Sequence, residues 1–222
     1  PFKLNAEVMV VGGCTAPGGR AVTELPVEVK LGAWSKGLTA VGRRAFSDRA
    51  AGGIASKPLP FTTMPVDYGR AYGGPGYDAN RAGAGIASAE APNLERTGER
   101  LSTRGQRPTA GPVALGALNV RWAPRAARIG KAYGEAWRKQ RAPFFAEDFD
   151  YRYFHEAAAD QQLAGYLRGD EAFQLTNLHP ALPSVSGTLP GVRVRFFAEI
   201  AGRGLREVPL ALDTVVVLAD LG

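Results

Sequence analysis

The stretch AEDFDYRYFHEAAAD, residues 146–160, gathers Glu147, Asp148, Asp150, His155, Glu156 and Asp160. Carboxylates beside an imidazole can bind a divalent metal or divide acid and base roles. A metal-dependent hydrolase using Asp148, Asp150 and His155 is therefore one reading. The spacing weighs against it: His155 and Asp160 are five apart, a poor helical match, and Asp148 and Asp150 share a side only in an extended chain. Six of the eleven residues from Phe144 to Phe154 are aromatic, so the competing reading has these polar groups hydrogen-bonding around an aromatic plug.

Other chemistry has less to stand on. MPVDYGRAYGGPGYDANRAGAG, residues 64–85, is rich in glycine, but Gly73, Gly74 and Gly76 lead into no helix-forming run. A phosphate loop requires GxxxxGK[ST] opening a helix, and a dinucleotide turn requires GxGxxG between strand and helix. These glycines are read as tight turns at positive φ. Cys14 sits beside a turn with neither a GxSxG elbow nor an HExxH helix in the chain, and is expected to be a small buried hydrophobe. His179, in NLHPALP, is expected to be a surface or turn residue. Catalytic residues, cofactors and bound metals are assigned to none of these positions.

The elements that would position such groups are mostly strands. Glu7 to Val11 is a short apolar run, and APGG at 16–19 reverses the chain. Val27, Val29 and Leu31 alternate with Glu28 and Lys30, a strand with one wet face. A further strand is expected at Leu38 to Val41, beyond a turn at SKG. After a Gly/Ala-rich link at 50–55, proline and glycine dominate 58–116, and aromatic Phe61, Tyr68, Tyr72 and Tyr77 would pin an ordered coil to the sheet. Ile129, Tyr133, Ala136, Trp137 and Gln140 fall at helical spacing, and a second helix is expected from about Glu156 to Leu167. VRVRFFAEI alternates from Val192, and LREVPLALDTVVVLADL carries the densest apolar run. EVPLAL at 207–212 echoes ELPVEV at 24–29, and the proline in each places it at a strand start or edge. The fold class expected is mainly β: an antiparallel β-sandwich or barrel-like scaffold, one domain over 1–222, with a long ordered Gly/Pro-rich coil at 58–116 and a helix-containing insert at 127–168 bearing one or two short helices.

Composition narrows the class. The 222 residues are 45% hydrophobic, enough for a core, and carry 27 Lys plus Arg against 21 Asp plus Glu. No eighteen-residue apolar stretch or secretory leader pattern occurs, and a single cysteine gives no disulfide framework, so a soluble cytoplasmic protein without membrane contact is expected. Basic residues crowd 96–141, with only Glu99 and Glu135 opposing them. No recognition helix, zinc module or RNP-type aromatic signature accompanies that charge, which turns the expectation from nucleic acid to protein partners. Trp34, Trp122 and Trp137 are read as packing residues. Tryptophan and arginine form interface hot spots, and RWAPR, with Arg121, Trp122 and Arg125, is the first interface candidate.

VVGGCTAPGG, WSKGLTAVGRR, PFTTMPVDYGRAYGG, NRAGAG, APNLE, WAPR, PFFAEDFDYRYFHEAAADQQL and LDTVVV, in this order across nearly the whole chain, resemble the family called domain of unknown function 2169. MPVDYGRAYGG and DFDYRYFHEAAADQQ are the most specific strings. The resemblance implies an accessory protein of the bacterial type VI secretion system, an adaptor or chaperone that loads an effector onto the PAAR/VgrG spike tip in the donor cytoplasm and catalyses nothing. Two departures stand out. The family's GDR is Gly42, Arg43, Arg44 here, which removes a carboxylate, and the family pattern tends to continue past the LDT strand, whereas this sequence ends at Gly222.

On this reading the partners are proteins, met in part by offering a sheet edge. Arg70, Tyr72, Asn80 and Arg81 join Arg121, Trp122 and Arg125 as partner-binding candidates; the first four divide evenly between a contact surface and an internal polar network. A second alternative, a structural domain of a larger secretion-associated protein, predicts apolar surface where the C-terminal run stops.

Overall fold

The clearest alternation in the chain forms its longest strands. In the computed structural model, which describes residues 3–47 and 52–220, β1 (Ala6–Val11) and β2 (Gly13–Thr15) lead to β3 (Glu24–Leu31) and β4 (Trp34–Val41). β3 turns Leu25, Val27, Val29 and Leu31 inward and pairs antiparallel with β4 along its full length. The turn between them uses Gly32 at a φ of 56°, so SKG lies inside β4 rather than forming the turn expected there.

Proline and glycine then keep the strands short. β5 (Thr63–Pro65), β6 (Tyr72–Gly73), β7 (Ala84–Gly85) and β8 (Leu94–Arg96) precede α1 (Ala123–Ala126) and α2 (Glu135–Gln140). β9 (Gln162–Leu163), β10 (Ala172–Thr176), β11 (Ser184–Thr188), β12 (Phe196–Ile200), β13 (Gly204–Val208) and β14 (Thr214–Leu218) complete the order. The sheets are open: β14-β1-β9, β11-β10-β3-β4-β8, and the two-stranded pairs β12-β13, β2-β5 and β6-β7.

This architecture corrects the expected fold. It is a mixed, mainly β arrangement of several open sheets, in place of an antiparallel sandwich or barrel-like scaffold: β14 and β9 end one sheet, β11 and β8 another, and no barrel closes. β1 and β14 run parallel, from Glu7↔Thr214 to Val11↔Leu218, as do β6 and β7. Nor does a long Gly/Pro-rich coil occupy 58–116. Buried backbone amides must find partners, and here they pair in β5 to β8 and in bridges such as Val22↔Phe61, Ala71↔Leu94 and Ile54↔Thr103. Gly73 permits this close contact, because a Cβ there would lie 2.1 Å from the Asn80 carbonyl oxygen.

Among the described residues the α-helices are two and short. The helix expected from Ile129 begins only at Glu135, because Gly130 takes a φ of 82° and Gly134 is extended. The helix expected from Glu156 to Leu167 does not form: one 3-10 turn, Ala159–Gln161, precedes β9. Ala158 and Gln162 are extended and Gly165 takes a φ of 78°, which breaks the helical path, while the amides of Glu156 and Ala157 bond to the side chain of Glu7. Part of the expected link at 50–55 and the chain end at Gly222 lie outside the described residues.

One apolar cluster joins the two larger sheets. Val8 and Val10 of β1 meet Val27 and Val29 of β3, Leu38 of β4, Leu94 of β8, and Leu115 and Leu178 from loops. Pro26 is tolerated inside β3 because β10 pairs only from Glu28 to Leu31, and beyond that point the Asn177 side chain donates to the Pro26 carbonyl at 2.8 Å. The side of β3 lacking an amide is locally an edge.

Leu38 is fully buried at the centre of this cluster. Leu38→Ala is expected to lower unfolding stability by about 2–5 kcal/mol, read as a lower urea midpoint at unchanged slope.

Candidate functional site

The acidic motif is built around a residue far from it in sequence. Glu7, on the central strand β1, has no solvent exposure. Its carboxylate accepts from Lys3 Nζ at 2.6 Å, from His155 at Nδ1 at 3.1 Å, and from the amides of Glu156 and Ala157 at 3.1 to 3.2 Å. Burial pushes its pKa up, but the Lys3 ammonium and the two amides outweigh that and hold it below the ordinary carboxylate range. A carboxylate only accepts, so Nδ1 is the donating nitrogen of His155. Gln161 extends the clasp, donating to the carbonyls of Val8 and Leu115 and accepting from Lys36 Nζ, which also pairs with Asp160 at 2.7 Å.

The structure therefore separates the residues of the hydrolase reading. Asp148 receives the amides of Lys131 and Ala132, Asp150 is engaged by the Arg152 amide and guanidinium, and His155 is buried against Glu7. Those bonds hold the pKa of Asp148 and of Asp150 below the usual carboxylate range. No group of three or more His, Cys, Asp or Glu able to hold a metal occurs among the described residues. Phe145, Phe149, Tyr151, Tyr153 and Phe154 contact one another as a ring cluster, with Phe145 stacked on Phe149 at 4.0 Å. Cys14 is buried within β2, opposite Met64 of β5, and burial pushes its thiol up to about 11.

Four of the seven partner-binding candidates converge on one cleft. Asn80, Arg81, Arg121 and Trp122 line a depression of about 440 Å³ together with Asp67 and Tyr68. Trp122 is half-buried and donates from Nε1 to the Ala79 carbonyl at 2.9 Å. Asn80 is buried and donates to the carbonyls of Tyr68 and Tyr72, while Arg81 is exposed and paired with Asp78. Arg121 is exposed and its side chain makes no hydrogen bond or ion pair among the described residues; the same holds for Arg70, outside the cleft. Tyr72 is buried edge-on to Tyr77. The even division thus resolves by residue: Tyr72 and Asn80 are internal, Arg70 and Arg81 face solvent.

Arg125 lies inside the molecule. It is 5% exposed and donates to the carbonyls of Tyr153 at 2.9 Å and Leu118 at 2.8 Å, with Glu156 3.5 Å away. It packs over the Tyr153 ring at 5.4 Å, fastening α1 to the aromatic cluster. At the site of the altered GDR, Arg44 donates to the Pro92 carbonyl and pairs with buried Glu95 at 2.6 Å, while Arg43 is exposed.

A second surface carries none of the residues expected as a site from the sequence. β12 and β13 form a two-stranded ribbon whose strands pair with no other strand among the described residues, with Phe196, Phe197, Leu205 and Val208 exposed. At its base, 191–195 and 207–212 line a groove of about 1020 Å³ with Leu167, Arg168 and Asp170. The signal that could have found it was the proline of EVPLAL, which ends a ladder where alternation continues.

A family model described as an uncharacterized protein conserved in bacteria (DUF2169) matches residues 1–222. No match was found among curated proteins or solved structures.

Glu7 makes stability pH-dependent in a defined direction. A depressed folded pKa contributes stability above the unfolded value, about 4.3, that is lost as pH falls through the folded value. Glu7→Gln is expected to cost about 1–3 kcal/mol near neutrality, and its deficit against the parent chain should narrow toward pH 3 in denaturant titrations.

Proposed function

The chain belongs to the DUF2169 family of bacterial proteins, and from that premise we propose that it is a non-enzymatic adaptor or chaperone, binding a type VI secretion effector and helping to load it onto the PAAR/VgrG spike tip. The observation that carries a protein-binding role is the β12-β13 ribbon. An isolated two-stranded hairpin is marginally stable in water, yet this one holds Phe196, Phe197 and Leu205 exposed, and a folded partner would cover them. The Trp122 cleft supplies a second surface, with exposed Arg121, unpaired among the described residues, in its lining. An adaptor bridging effector and spike uses two such faces. No helix of the described residues is long and apolar enough to cross a membrane.

A second reading, a structural domain of a larger secretion-associated protein, is favoured by Val216 and Leu218, which stand exposed on β14 at the edge of its sheet. It requires the chain to unfold without its neighbour. Cooperative thermal unfolding of the chain alone would remove that reading.

The adaptor reading is tested by co-expression with the effector and spike-tip proteins encoded beside the gene, with complex mass read by size-exclusion chromatography and light scattering. A stable complex is expected, weakened at least tenfold, about 1.4 kcal/mol, by Phe197→Asp or by Arg121→Glu. Arg125 is unsuited to this test, because its loss would loosen α1. Absence of a complex with every neighbour would overturn the reading.

A further inference from the structure

We propose that the groove at the base of the ribbon is a strand-acceptor site for an extended segment of another protein, apolar at alternate positions and acidic between them. The inference rests on the protein-binding reading above and names the chemistry of what is bound. It begins with Pro209. The β12-β13 ladder runs from Ile200↔Gly204 to Phe196↔Val208 and stops there, immediately before Pro209. Beyond that point the two chain segments separate and enclose the groove.

Separation leaves main chain without partners. No hydrogen bond among the described residues involves the backbone of Val192, Arg193, Val194, Leu210 or Ala211. Below them, the chain is pinned by Gly191 N to the Gly169 carbonyl and Leu167 N to the Leu212 carbonyl. Each arm is thus anchored at both ends and presents free donors and acceptors between, the template to which an extended peptide adds. The longer of the two, Val192 to Val194, spans roughly 10 Å at about 3.3 Å per residue, enough to pair with about three residues of an added strand.

Side chains specify what kind of strand. Val192 and Val194 are 71% and 70% exposed, and Leu210 and Leu212 stand opposite at the same spacing of two. Apolar residues at alternate positions of an incoming strand would meet them. Charge selects the remainder: Arg168 is paired with Asp170 and Arg195 with Glu207, whereas Arg193 has no ion pair among the described residues. On the ribbon itself Arg203 and Arg206 are likewise unpaired, against unpaired Glu199. A second copy of this basic chain would bring the same surplus into the groove, while carboxylates on an incoming strand would neutralise it.

The probe is a capped, fluorescently labelled ten-residue peptide alternating valine and glutamate, compared with its valine–lysine counterpart by anisotropy. The acidic peptide is expected to bind at least tenfold tighter, and more weakly as salt rises. Val194→Asp and Leu210→Asp should each reduce binding at least tenfold, and Arg193→Glu should reverse the preference toward the lysine peptide. These positions are exposed, so circular dichroism of the variants should match the parent. The proposal is overturned if neither peptide binds, if Val194→Asp leaves binding unchanged, or if the free chain is a dimer that Val194→Asp dissociates, which would make a second copy the occupant. Co-purification of the Val194→Asp, Leu210→Asp double variant with the effector or spike protein would sink the groove and leave the adaptor reading standing. Peptide binding without any neighbour complex would do the reverse.

Discussion

A carboxylate sealed inside a sheet organises this molecule. An ion removed from water costs several kcal/mol unless it is paired and hydrogen-bonded, and Glu7 of β1 meets that condition through Lys3, His155 and the amides of Glu156 and Ala157. Those donors can reach it only if 155–161 lies along β1. Gln161 then satisfies the carbonyls of Val8 and Leu115 from the same segment. Because the segment is held there, the aromatic cluster preceding it is placed beside α1, where Arg125 joins the two through Tyr153 and Leu118. One buried charge thereby determines the course of a motif that reads as catalytic by composition.

Proline and glycine act at the opposite scale, deciding where pairing stops. Within 58–116 they limit strands to two or three residues, yet the backbone still pairs in short ladders and bridges. Around Pro26 the consequence is a locally free side of β3, satisfied by Asn177. Around Pro209 nothing comparable intervenes, and the arms of the ribbon stay apart. ELPVEV and EVPLAL thus differ in setting: Pro26 lies inside a paired strand with its carbonyl satisfied by Asn177, and Pro209 lies just past the end of a ladder.

Periodicity made the strands at Glu7, Val27 and Leu38 legible, since alternation over several residues determines which face is buried. It failed where long-range polar contacts override local preference. Glu156 to Leu167 has helical composition, but Ala158 and Gln162 are extended, and Gln161 between them is held by the carbonyls of Val8 and Leu115. Arg125 resembles a surface hot spot by type, and only the fold reveals three protein partners around its guanidinium. The overlooked signal was Glu7 itself, a single charge inside AEVMVV. A lone carboxylate in a strand buried on both faces demands cations and amides from elsewhere, and the later run of His155, Glu156 and Ala157 was available to supply them. Cleft residues were half legible: residue type brought Arg121 and Trp122 into view, and the family resemblance Asn80 and Arg81, without showing which face solvent.

The two surfaces differ in what binding would require of them. Trp122 and Asn80 are already held by hydrogen bonds to the Ala79, Tyr68 and Tyr72 carbonyls, so the cleft loses little side-chain freedom when covered. The ribbon's side chains are exposed, and covering them would cost about 0.5–1.5 kcal/mol of entropy for each rotamer-rich side chain immobilised. Apolar burial must exceed that cost: at about 25 cal/mol per Å², shielding Phe196, Phe197 and Leu205 would do so. A preformed cleft suits a partner of fixed shape, whereas exposed apolar side chains above a groove with unpaired backbone suit a partner that brings both an apolar surface and an extended segment.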